Sequence, residues 1–169
     1  MGNKLSDILY VILIFILQML ICDYVNLGPW LYLSLMPLIV LLIPRQIRIH
    51  GTMLIAFGVG LLLDVLSDGV LGLNAASAVL VAAFREVLYK NIINGDRQDR
   101  TRTVSVRTAG TLKFIYYLLA SVSIFTACYV LLDCIGSRSV GFMAMTFAIS
   151  TVSSTLICFL VSYRHLKNN

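Results

Sequence analysis

Between Ile8 and Cys22 the chain runs without a charged side chain, and stretches like it recur along its whole length. A helix needs about 20 mostly apolar residues to cross the hydrocarbon of a bilayer, with about 17–25 usual. Six segments reach or approach that length, at about 7–25, 30–43, 51–66, 71–89, 112–132 and 140–163. Hydrophobic residues make up 59% of the 169 and charged residues only 12%, against about 45–50% and about 25% in a soluble domain. A soluble fold of this size has no interior large enough to hide so much apolar surface. The expectation is therefore an all-α, polytopic membrane protein: one membrane domain over 1–169, folded as a six-transmembrane-helix bundle.

The second segment is the short one. It lies between Pro29 and Pro44, holds Pro37 inside it, and reads as a thin span, a tilted helix or a re-entrant segment, with a kink expected at Pro37. Charge distribution argues that it crosses. With the N-terminus inside and six crossings, the inner segments hold twelve of the thirteen basic residues, and only Arg138 falls outside. Lysine and arginine stay on the cytoplasmic side of a membrane protein, so this asymmetry sets both termini in the cytoplasm. Removing the second segment would put Arg45 and Arg48 on the wrong side. Tyr24, Trp30 and Tyr32 at the outer face fit an aromatic belt. The long polar stretch 90–111 is a cytoplasmic loop whose Arg97, Arg100, Arg102 and Arg107 suit anionic lipid headgroups or an acidic partner. The run from Ile8 is read as a retained span: bulky Met19, Leu20 and Ile21 do not make a signal-peptide cleavage site.

The densest polar signal sits at the outer end of the third span and the start of the fourth. Gly58 and Gly60 thin the third helix for a neighbour's backbone, and Ala56 with Gly60 forms a small-xxx-small pair. Asp64 lies about a turn before the outer end, where a carboxylate must face protein or water and find partners. It either ties the turn, through Ser67, Asn74 or backbone, or contacts an ion or substrate. Ser67, Asp68 and Gly69 make a tight turn, and Gly72 frees the entry to the fourth helix. Ala78 and Ala82 form a packing stripe, which the sequence assigns neither to the inside of the bundle nor to a contact between copies. Arg85 and Glu86 read as anchors reaching for the inner interface. Hydroxyls of the sixth span, among them Ser150, Thr151, Ser154 and Thr155, bond to their own or neighbouring helices, or line a polar pathway.

Other functions find no support. The formal charge of +5 comes from span-flanking residues rather than one basic face, so no nucleic-acid partner is expected. Cys22, Cys128, Cys134 and Cys158 form no CxxC pair, and His50 and His165 stand alone, so neither a metal site nor a cofactor is expected. No nucleophile or phosphate-binding motif marks an enzyme.

The stretch Gly58-Val59-Gly60-Leu61-Leu62-Leu63-Asp64, followed by Leu71-Gly72-Leu73-Asn74-Ala75, resembles the bacterial rod shape-determining protein MreD family. Span number, loop length and the proline-bounded second segment extend the resemblance loosely over the chain. It implies a non-enzymatic scaffold in the inner membrane that works in the elongation machinery. MreC, the actin-like MreB, the polymerase RodA and a penicillin-binding transpeptidase would be its partners in peptidoglycan synthesis. That family is similar in fold to the substrate-binding subunits of energy-coupling-factor vitamin transporters. The rival expectation is therefore such a subunit, with an outer pocket near Asp64, Asn74 and Asp133.

Overall fold

The structure, a computed structural model, describes residues 2–24, 31–44, 46–67, 70–93, 110–134 and 139–168, with side chains from Ile8 to Cys22 in the first stretch and up to Ser162 in the last. These residues form six helices: α1 (Gly2–Tyr24), α2 (Met36–Leu42), α3 (Ile49–Leu66), α4 (Leu73–Ile93), α5 (Thr111–Cys134) and α6 (Val140–Asn168). Three stretches, Ile49–Leu66, Thr111–Cys134 and Val140–Ser162, are long and apolar enough to cross a membrane, and Ile8–Cys22 is a shorter apolar helix. Several expectations fall outside the described residues: the basic loop with Arg97, Arg100, Arg102 and Arg107, the turn residue Asp68, the belt residue Trp30, and Arg138; of the belt residue Tyr24 only the backbone is described.

Burial runs opposite to that of a soluble bundle. On α3 the exposed positions include Leu54, Phe57, Leu62 and Val65, while Thr52, Ala56, Gly60 and Asp64 point inward. On α1 the exposed face is Ile8, Leu9, Ile12, Leu13 and Ile16, and Gln18 is wholly buried. A helix bordering water would carry its polar face outward. Apolar groups outside and hydroxyl, amide and carboxylate groups inside are the arrangement a hydrocarbon solvent selects, because unpaired polar groups there cost several kcal/mol each. This is the fold of a membrane protein.

The short α2 is the centre. It packs against α1, α3, α4 and α5, and consecutive helices from α3 to α6 are neighbours. Tyr10 of α1 donates a hydrogen bond to the carbonyl of Val161 on α6 at 2.8 Å. Leu38, Ile39 and Val40 of α2 meet Val81 of α4 and Phe114, Leu118, Val122 and Phe125 of α5 in one buried core.

Here the expectation for 30–43 changes. Residues 31–35 carry no regular secondary structure and only Met36–Leu42 is helical, with Pro37 in the first turn. Pro37 starts the helix rather than kinking it. A proline further inside would clash with the carbonyl four residues back, whereas in the first turn its missing N–H costs nothing. The residue before it, Met36, is already helical, and Leu35, with φ −96° and ψ −3°, is the N-cap.

Candidate functional site

Asp64, at the end of α3, is 1% exposed and both its oxygens are occupied. Oδ1 accepts from the Asn74 backbone N–H at 3.1 Å and from Asn74 Nδ2 at 2.8 Å. Oδ2 accepts from the N–H groups of Gly72 at 2.9 Å and Ala75 at 3.2 Å. Three of the four donors are backbone groups at the start of α4, which lack partners within their own helix. Burying a carboxylate costs several kcal/mol, and charge-assisted hydrogen bonds of roughly 1.5–3 kcal/mol each, placed at the positive end of a helix dipole, offset it. Asp64 thus caps α4 from the neighbouring helix.

The glycines decide whether α3 can come close enough. Gly72 has φ +97°, a conformation that side chains with a Cβ rarely adopt, and it aims its N–H back at Asp64. A Cβ on Gly60 would lie 2.5 Å from Ala75 Cα and 2.8 Å from its nitrogen, so the two backbones touch at this point. Gly58 does not share that role: it is exposed, and a Cβ there would meet nothing within 4 Å. It lies on the outward face of α3, two residues and about 200° around the helix from Gly60. Ala78 and Ala82 are both buried, so their stripe serves packing within the chain.

Asn74 extends the cluster. Its Oδ1 accepts from the Tyr32 hydroxyl at 2.6 Å, making a chain from Tyr32 through Asn74 to Asp64. The Tyr32 ring stacks on Tyr129 of α5 with centroids 3.8 Å apart and planes at 12°. Together with Cys22 and Ser67, these groups and the aliphatic side chains of Ile21, Leu31, Leu33, Val70 and Leu73 line a cavity of about 180 Å³. Asp133, expected beside it, is an exposed residue and is not part of the lining. Ser67 Oγ bonds the Leu63 carbonyl at 2.8 Å rather than Asp64.

Beside the cavity the non-helical residues 31–35 present backbone groups that no helix of their own satisfies. Side chains do so instead. On one edge, α6 supplies Ser150 to the Tyr32 N–H at 2.9 Å and Ser154 to the Ser34 N–H at 3.1 Å, and Cys158 donates to the Ser34 carbonyl at 3.5 Å. On the other edge, Gln18 of α1 accepts from the Leu35 N–H at 2.6 Å and donates to the Leu33 carbonyl at 3.4 Å. The spacing explains the fit. Two residues of open chain advance at most about 6.6 Å and four residues of helix about 6 Å, so an i, i+4 hydroxyl pair can serve alternate residues such as Tyr32 and Ser34. The α6 hydroxyls do bond within their own helix, as Thr155 does to Thr151, but Ser150 and Ser154 serve this segment. Thr126 of α5 meets Thr151 of α6 at 2.8 Å.

Arg85 departs from its expected role. It is 2% exposed and points inward, where its guanidinium donates to the carbonyl of Val40 at 3.1 Å, near the end of α2. Cationic groups suit a helix C-terminus, where carbonyls lack partners. The half-helix is thus held at its start by Gln18 and at its end by Arg85.

The four cysteines are free thiols. Among the described residues no three side chains of the metal-ligating types come together. Compared with known proteins, the chain matches no protein-family model, no curated protein and no solved structure.

Proposed function

We propose that this chain is a six-crossing, non-enzymatic scaffold of the bacterial cell-elongation machinery, similar to MreD. It would dock an MreC-like partner and, through it, the enzymes of side-wall peptidoglycan synthesis. The observation that carries this reading is that the two parts of the resemblance, Gly60–Asp64 and Gly72–Ala75, pack on each other and the carboxylate is spent on internal hydrogen bonds. The motif holds two helices in register, as a docking platform requires, and keeps no acceptor of Asp64 for a substrate.

Six crossings need the second segment to span. Five non-helical residues reach at most about 16 Å and the seven of α2 about 10 Å, together at most about 26 Å of a hydrocarbon core of about 30 Å. Non-helical backbone gives the short segment more reach per residue than helix, and the side chains of α1 and α6 supply the hydrogen bonds that lipid cannot. Both termini then face the cytoplasm of an inner membrane.

Purification in a mild detergent from cells expressing a tagged chain tests the assignment: MreC-like protein is expected with it. Recovery of an ATPase module in its place would defeat the scaffold reading. The outer cavity is the observation that favours the second reading, a small-molecule transporter's binding subunit, for which that ATPase result would be the signature.

A further inference from the structure

We propose that the outer cavity is a binding site for a small uncharged ligand, a single ring bearing an amide or a comparable donor–acceptor edge. This goes beyond the scaffold reading and does not depend on it. The cavity holds about 180 Å³, and an engineered apolar cavity of about 150 Å³ takes one benzene, so there is room for one substituted ring.

Charge narrows the choice. No lysine, arginine or histidine lines the cavity, while Asp64 does, so an anion would meet repulsion and no partner. A cation fares no better. Each oxygen of Asp64 already accepts two N–H groups, and an ammonium would have to displace one from the start of α4.

Asn74 is the recognition group. An amide side chain offers two donor hydrogens and two acceptor positions. Asn74 spends one hydrogen on Asp64 and one acceptor position on Tyr32, and it is 4% exposed. Both Nδ2 and Oδ1 therefore have a partner, and each has room for a second hydrogen bond that a ligand carrying the complementary pair can make. The two bonds already made fix the amide's orientation, so little ordering is lost on binding. The stacked rings of Tyr32 and Tyr129 give the cavity an aromatic wall.

The test uses the full chain in nanodiscs and para-fluorobenzamide as probe, followed by fluorine NMR. Saturable binding is expected, with a Kd of about 0.1–1 mM for so small a molecule. The para-fluorobenzoate and para-fluorobenzylamine analogues should bind at least about tenfold more weakly. Val70 stands at the rim and is 66% exposed, so Val70→Trp can fill the space without disturbing the polar cluster. That variant should melt like the wild type and bind the probe at least about tenfold more weakly. No saturable binding, equal binding of the benzoate, or undiminished binding by a folded Val70→Trp would each overturn the proposal. Co-purification with MreC bears on the scaffold reading alone.

Discussion

Two glycines on one turn of α3 should respond to the same substitution in opposite ways. An alanine Cβ at position 60 would sit 2.5 Å from Ala75 Cα and 3.0 Å from the Asn74 carbonyl carbon, where carbon contacts settle near 3.5–4.0 Å. The helices would have to part by about 1 Å at that level, and the neighbouring hydrogen bonds to Asp64 now measure 2.8–3.2 Å. An added ångström takes most of them past useful length. Overpacking of this kind costs about 1–3 kcal/mol, and losing two of those bonds adds about 2–4 kcal/mol. Alanine recovers up to about 1 kcal/mol of helix propensity. A net loss of about 2–7 kcal/mol is expected for Gly60→Ala, read as a lower melting temperature and smaller monodisperse yield in mild detergent. Gly58→Ala meets open space and keeps only the propensity gain, so it should melt at or above the wild type. Equal behaviour of the two variants, or a Gly60→Ala protein as stable as the wild type, would refute the account of the α3–α4 contact.

Asp64→Leu removes the shared acceptor of four donors and should lower accumulation of folded protein; normal levels with complete loss of cell elongation would make Asp64 a functional contact instead. Ser154→Ala leaves the buried Ser34 N–H unpaired, and a loss of about 1–3 kcal/mol is expected in a denaturation series. Thr126→Val with Thr151→Val removes both partners of one bond and should cost less than either change alone. Arg85→Met strips the cation from the α2 terminus and is expected to be more damaging than Lys90→Met at an exposed position of α4, as judged by folded yield.

The apolar runs announced every long helix, because a bilayer-length stretch without charge has few other uses. The Asp64 cluster was legible in kind, since an acid near the end of an apolar helix must find donors, and Asn74 and the following backbone were the nearest ones. Three things were hidden. Gly58 and Gly60 look alike in sequence, and only the helix rotation tells which of them faces α4. Arg85 reads as an interface anchor by position, yet the carbonyls at the end of a seven-residue half-helix draw it inward. Gln18, passed over inside the first span, turned out to serve both a carbonyl and an N–H of the non-helical segment 31–35. The signals for that segment were present but small: a lone amide in an apolar run, Pro37 forcing a late helix start, and Ser150, Ser154 and Cys158 at steps of four.

The account turns on the proposal that the segment 31–43 passes through the bilayer, half as non-helical chain and half as helix. Single cysteines at Ile47, on its far side, and at Val70, after the next helix, can be placed in a chain whose native cysteines are replaced. A membrane-impermeant maleimide applied to intact spheroplasts should label position 70 at once and position 47 only after lysis. Labelling of position 47 from outside would show that the segment turns back, and the six-crossing scaffold would fall with it.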